Sequence, residues 1–130
     1  MAATGAVTNL GKKAIVGLTG DIDTQTAFGY VANGSGSTDA AAAQTALVSE
    51  NSGSGSDRAA VTPTSEQTTS ADDTLRYSKT WTFSGSKTLR EFGIFNASSD
   101  GVMLARYVLA SDKSLASGET YTITFDVIIA

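Results

Sequence analysis

The sequence contains no cysteine and no histidine. The absence of cysteine excludes a disulfide framework, a thiolate nucleophile and a cysteine-based metal site. The absence of histidine removes the commonest general base and the commonest metal ligand. A carboxylate-based glycosidase is the remaining enzymatic alternative, and it is disfavoured because nearly all of the 13 acidic residues fall in predicted turns. We therefore predict no catalytic residue, no metal site and no cofactor, and we expect a protein that is not an enzyme.

Positive charge and long apolar runs are also scarce. Nine lysines and arginines stand against 13 acidic residues, and the resulting net charge of −4 argues against a nucleic-acid partner. No apolar run approaches the roughly 18 residues that a membrane span requires. The N-terminal sequence lacks the basic stretch and apolar core of a signal peptide. We therefore expect no membrane partner, and synthesis and assembly in a cytoplasm.

Threonine, serine, alanine and glycine are abundant instead, and the second half of the chain has a strand-like alternation. In residues 75–83, large apolar side chains alternate with small polar ones, which is typical of an antiparallel strand with one solvent-exposed face. The predicted strands are residues 14–19, 27–34, 58–63, 75–83, 89–97, 102–110 and 120–129. Short polar turns separate them, so we predict a mainly β fold, an antiparallel β-sandwich of about seven strands.

One segment departs from the strand pattern. Asp39 is a favourable N-cap residue, and the alanine-rich residues 40–50 place small apolar side chains on one face at helical spacing. We predict one short α-helix over this segment. The glycine- and serine-rich residues 51–57 that follow are predicted to form a flexible loop.

The N-terminal residues are small and polar, and they predict an extended arm over 1–11 ahead of a single β-sandwich domain over 12–130. An arm of this kind can dock on a partner surface and fold on binding. The candidate partner contacts are Val7, Leu10, Lys12 and Lys13. The first two are apolar without a local partner, and the two lysines can meet an acidic surface.

The largest side chains are concentrated after residue 75, and most of them are predicted to lie between two sheets. The predicted core residues are Trp81, Phe83, Phe95, Tyr121, Ile123 and Phe125. Tyr30 and Trp81 could stack against a sugar or a base. We interpret both as core residues, because a lone aromatic residue in a strand is more often buried than used as a platform.

Charged residues within the strands are few. Lys79 interrupts the apolar face of its strand, and we predict an ion pair with Glu91 at the rim of the sheet. Snorkelling to solvent and an assembly contact are the alternatives for this lysine. Arg90 and Arg106 are predicted to be surface charges that bridge neighbouring strands.

Two longer motifs carry a family resemblance. In the first, a strand is followed by the turn Asn33–Thr38 and then by residues 40–50. This segment ends with a Leu-x-x-Glu motif formed by Leu47 and Glu50. In the second, the strand Phe92–Asn96 is followed by a glycine turn and by Met-Leu-Ala-Arg at 103–106. The chain resembles, over roughly residues 27–127, small structural proteins of tailed bacteriophages. The resemblance implies a virion component, and it carries no catalytic residues over to this chain.

The resemblance and the composition together predict a non-enzymatic virion protein. We expect capsid decoration, in which many copies bridge neighbouring capsid subunits after assembly in the bacterial host cytoplasm. The expected partners are other virion proteins, the major capsid protein first, together with further copies in a homo-oligomer. The alternative is a tail, fibre or baseplate component, with host-glycan binding through its loops as a further possibility.

Overall fold

The computed structural model describes residues 2–129, and this part of the chain forms eight strands and one helix. In chain order the elements are β1 (Thr4–Val7), α1 (Asn9–Gly20), β2 (Tyr30–Gly34), β3 (Ala59–Ala60), β4 (Thr64–Glu66), β5 (Thr74–Thr82), β6 (Lys87–Phe95), β7 (Met103–Leu115) and β8 (Thr120–Ile128).

The strands form two antiparallel sheets. The five-stranded sheet has the order β1-β7-β6-β2-β3, and the three-stranded sheet has the order β4-β5-β8. The predicted mainly β sandwich is therefore confirmed. The four longest strands are β5 to β8, and the sequence predicted all four, although β7 continues to Leu115, five residues beyond its predicted end.

The main core lies between the two sheets. Trp81 from β5 stacks on Phe92 from β6, with ring centroids 6.1 Å apart, and Phe92 stacks on Tyr121 from β8 at 5.7 Å. Phe83 and Phe125 are buried in the same cluster, as predicted. Of the other predicted core residues, Tyr121 and Ile123 are half-buried and pack against this cluster.

Phe95 is buried, but it does not lie between the sheets. It belongs to a second cluster with Ala32, Leu47 and Met103, on the outer face of the five-stranded sheet. Ile94 lies between the sheets, and because successive side chains of a strand point to opposite faces, Phe95 points to the outer face. The prediction of burial is confirmed for Phe95, and the predicted location is corrected.

The predicted strand over 14–19 is wrong, because these residues belong to the helix α1. Thr8 caps the helix by accepting a hydrogen bond from the Gly11 N–H at 2.8 Å. The buried helix residues Gly11, Ala14 and Gly17 are small and follow helical spacing. A Cβ atom at Gly11 would lie 2.5 Å from the carbonyl oxygen of Leu104, so only glycine permits this close contact with β7.

The predicted arm over residues 1–11 has a different structure. Strand β1 pairs with β7 from Thr4↔Val108 to Val7↔Ala105, and the helix begins at Asn9. Thr8 between them is fully buried, and its hydroxyl donates to the Met103 carbonyl. Residues 4–11 are therefore part of the sheet and of the helix that follows it, with position 11 inside α1, and Met1 lies outside the described residues.

The predicted helix over residues 40–50 is absent, and the chain there is irregular. Its backbone groups bond to distant side chains where a helix would bond them internally. The N–H groups of Val48 and Ser49 donate to the carboxylate of Glu91 at 3.1 and 2.7 Å. Tertiary hydrogen bonds have therefore overridden the helical propensity of alanine.

The predicted flexible loop over 51–57 is hydrogen-bonded on several sides. The Ser56 N–H donates to Gly53 O at 3.0 Å, and the Ser56 carbonyl accepts from the buried Asn33 amide at 2.9 Å. The Ser84 N–H bonds to Ser54 O at 2.9 Å. These contacts fix the loop against β2 and the end of β5, which its composition could not reveal.

Candidate interaction surface

An apolar cleft lies between α1 and the three-stranded sheet. It has a volume of about 300 Å³ and a lining that is mostly hydrocarbon. Its principal side chains are Ile15, Leu18, Phe28, Pro63, Leu75 and Ile129. We refer to this group as the apolar cleft. A concave apolar surface of this kind is typical of a binding site for hydrophobic groups.

The cleft results from the way α1 packs. The small residues of α1 face β7, so the larger side chains of Ile15 and Leu18 project beside the contact between helix and strand. They form one wall of the cleft. The opposite wall comes from Leu75 at the start of β5 and from Ile129 just after β8. Tyr77 closes the floor, with its hydroxyl donating to Phe28 O at 3.0 Å. Burial raises the pKa of this tyrosine to about 12.

The rim of the cleft leaves large apolar side chains in solvent. Leu18 is 41% exposed, Leu75 36% and Ile129 55%. Single exposed apolar residues are common on protein surfaces, whereas a group of them around one concavity marks an interaction site. Sequence patterns did not predict this site, because its principal residues come from five separate segments. The sequence feature that could have indicated this site is Leu75, because it extends the apolar face of β5 to the beginning of the strand.

The four predicted partner contacts do not form one site. Val7 lies in β1 and packs against the main core, and Leu10 is 43% exposed at the start of α1. Lys12 and Lys13 are exposed on the same helix. Three of the four therefore remain accessible on α1, the helix that also forms one wall of the apolar cleft, and their role as contacts remains a prediction.

A buried ion pair lies on the outer face of the five-stranded sheet. The guanidinium of Arg106 donates to the Glu91 carboxylate at 2.5 and 3.0 Å, and both side chains are fully buried. Arg106 also donates to Thr38 O at 2.7 Å and to the Gln44 side chain at 3.1 Å. The prediction of Arg106 as a surface charge is therefore wrong, as is the predicted pairing of Glu91 with Lys79.

A second arginine fixes the same side of the molecule. Arg58 donates to both carboxylate oxygens of Glu50, at 2.7 and 3.1 Å, and to the carbonyls of Ala97 and Asp100. Its guanidinium also lies 3.6 Å from the centroid of the Phe95 ring, a cation–π contact. With its donors occupied in this way, Arg58 holds the segment around Glu50 against the loop between β6 and β7 and has a structural role.

The remaining predicted charges and aromatics have structural partners. Arg90 pairs with Asp112 at 2.9 Å, so its predicted cross-strand pairing is confirmed. Trp81 is buried, and its indole N–H donates to Asp57 O at 3.1 Å. Tyr30 is half-buried against the second core cluster. Neither aromatic ring therefore forms an open platform for a sugar.

No three acidic side chains of residues 2–129 are grouped so that they could hold a metal ion. No helix in this part of the chain has the length and apolar character needed to cross a membrane.

The comparison with known families gives one match. The model for the podophage GP4 fiber I protein gp80 family matches residues 6–129. The chain belongs to this family. No curated protein and no solved structure matches it. The fiber I family assignment confirms the predicted bacteriophage virion structural protein. It favours the alternative of a tail or fibre component over the expected capsid decoration.

Proposed function

We propose that this fiber I family member is a non-enzymatic structural component of a tail fibre, and that the apolar cleft docks an adjoining virion protein. The family match supports the fibre assignment. The apolar cleft is the single observation that supports docking at this surface, because Leu18, Leu75 and Ile129 surround it with exposed apolar side chains. Covering these side chains removes apolar area from water, at roughly 25 cal/mol per Å².

The expected partner has an apolar projection flanked by acidic groups. The apolar part fills the cleft, while Lys12 and Lys13 lie exposed on the α1 helix. Exposed charges outside the buried centre of an interface accelerate association more than they tighten binding. Leu10 is exposed at the start of the same helix, and it adds a third predicted contact near the lysines.

Gold-labelled antibody on intact particles tests the location. We expect label on the tail fibres. Label on the head would contradict the fibre assignment and would restore capsid decoration as the function.

A pair of lysine substitutions on α1 tests the docking surface. Leu18→Lys places a charge at the mouth of the cleft, and we expect strongly reduced incorporation of the variant into particles. Val16→Lys is the matched control, because Val16 is on the same helix, is 61% exposed and does not line the cleft. We expect normal incorporation of the control. Equal incorporation of both variants would exclude the cleft as the docking surface.

A further inference from the structure

Strand β8 has one edge that no strand of residues 2–129 covers, because β5 pairs with it on one side only. It is nine residues long. The other edge strands are short, with four residues in β1, two in β3 and three in β4. The unpaired N–H and C=O groups of a long edge strand are a template for pairing with another chain.

The register of the β5–β8 ladder identifies these unpaired groups. The pairing runs without a shift from Thr74↔Ile128 to Thr82↔Thr120. The residues that flank β8 on either side, Glu119 and Ile129, have odd numbers, and both bond to the β5 side. The Phe83 N–H donates to Glu119 O, and the Ile129 N–H donates to Asp73 O. Because bonded pairs alternate along an antiparallel ladder, the even-numbered residues direct their backbone groups to the free edge. They are Thr120, Thr122, Thr124, Asp126 and Ile128.

The usual protections of an edge strand are missing from β8. Its sequence contains no lysine, no proline and no glycine, and its ladder has no bulge. The one charged residue is Asp126, whose carboxylate accepts hydrogen bonds from Arg76 of β5 at 2.8 and 2.9 Å. This arginine lowers the pKa of Asp126. The charge is therefore already neutralised on the paired side of the strand.

We propose that β8 pairs with β8 of a second copy of this chain, antiparallel about a two-fold axis at Thr124. Thr124 then lies opposite its own counterpart, Thr122 lies opposite Asp126, and Thr120 lies opposite Ile128. In this register every outward N–H and C=O of the five even-numbered residues meets a partner. The two three-stranded sheets become one six-stranded sheet.

The charge pattern of β8 fits a second copy. No two like charges are opposite each other, because Asp126 faces a threonine. The two Asp126 side chains are offset by four residues, or about 13 Å along the strands. This separation exceeds the Debye length of about 8 Å at physiological ionic strength, so their repulsion is largely screened.

The apolar side of β8 fits the same arrangement. Tyr121 and Ile123 are only half-buried, although they pack against the core, and no strand of residues 2–129 lies beyond the edge of β8. In the two-fold register, Tyr121 is opposite Val127 of the second copy and Ile123 is opposite Phe125. Cross-strand pairs of aromatic and β-branched residues stabilise antiparallel sheets, so the two cores become continuous.

A single introduced cysteine tests this register, because the natural chain has none. Residues opposite each other in a hydrogen-bonded pair have Cα atoms about 5.5 Å apart, which lies within the range of about 4.4–6.8 Å that a disulfide spans. We expect Thr124→Cys to form a covalent dimer under mild oxidation, measured on a non-reducing gel. Failure of Thr124→Cys to form this dimer would overturn the proposal.

Thr122→Cys is the matched control, because it has the same exposed face and the same strand. The two-fold register keeps its thiols about 13 Å apart, so we expect no covalent dimer. Equal cross-linking of both variants would indicate random collision and would also overturn the proposed register.

Thr124→Pro tests the pairing itself. The N–H that proline removes points to the free edge, so no hydrogen bond to β5 is lost. We expect a folded variant with the 13.3 kDa mass of one chain, against at least twice that mass for the natural protein, by light scattering. A folded variant with the mass of the natural protein would overturn the proposal. If the variant does not fold, the comparison of Thr124→Cys with Thr122→Cys tests the pairing in its place. These measurements on isolated protein are independent of the apolar cleft and of the fibre assignment.

Discussion

The two faces of the five-stranded sheet are covered in different ways. The inner face packs against the three-stranded sheet through large apolar side chains, among them Phe92 against Trp81 and Tyr121. The outer face is covered by the irregular segment 35–58. Besides a small apolar cluster around Phe95, that cover depends on hydrogen bonds to the Glu91–Arg106 pair and on Arg58.

The difference lies in how the stabilising free energy is distributed. Apolar burial is non-directional, so the inner face spreads its stabilisation over many side chains. A buried charge pair is directional, and the removal of one partner leaves the other charge without compensation. The outer cover is therefore expected to depend on a few atoms, while the inner packing tolerates small changes of shape.

The largest effect is expected from Arg106→Met, because it leaves the fully buried Glu91 carboxylate unpaired. We expect a loss of about 3–5 kcal/mol in the free energy of unfolding, measured by denaturant titration. Amide exchange is expected to rise first at Val48 and Ser49, whose N–H groups bond to this carboxylate.

The double variant Glu91→Gln with Arg106→Met is the control, because it removes both charges. Its loss is expected to be smaller than that of Arg106→Met alone. A loss below about 1 kcal/mol in the single variant would contradict the dependence of the outer cover on this pair.

Phe125→Ala tests the inner face. Phe125 is 9% exposed and contacts the Tyr107 ring edge-on, with centroids 6.2 Å apart. We expect a loss of about 3 kcal/mol, at the low end of the range for a buried phenylalanine. Exchange is expected to increase throughout both sheets and not in one segment. A loss below about 1 kcal/mol would show that this face of β8 is outside the core.

The smallest effect concerns acid stability at an exposed turn. The Asp73 carboxylate accepts hydrogen bonds from the N–H groups of Ser70, Thr68 and Thr69, and these lower its pKa. A lowered folded-state pKa gives stability that is present above the pKa of the unfolded chain and is lost as the pH falls through the folded value. We expect Asp73→Asn to reduce the dependence of the melting temperature on pH below about pH 4.

Ser78→Asn is the control for that measurement, because Ser78 is an exposed residue of β5 outside the turn. Its acid profile is expected to follow that of the natural protein. An unchanged profile in Asp73→Asn would show that this carboxylate contributes nothing to acid stability.

How far the sequence predicts the structure differs between these regions. Strands β5 and β8 follow from alternation, because one face of each is mostly buried and the other is mostly exposed. The strand predicted over residues 14–19 is part of the helix α1, because a short apolar run fits either period. The apolar cleft was missed, since it combines residues from opposite ends of the chain.

The sequence by itself determined the antiparallel sandwich, the burial of Trp81, Phe83 and Phe125, and the lack of cysteine and histidine chemistry. Local composition and periodicity carry this information, because each depends on neighbours along the chain. Only the tertiary structure decided that Arg106 is buried against Glu91 and that residues 40–50 are irregular. The Glu91–Arg106 pair joins residues 15 apart, and the hydrogen bonds from residues 38, 48 and 49 to this pair span more than 40 residues, so no local pattern can encode them.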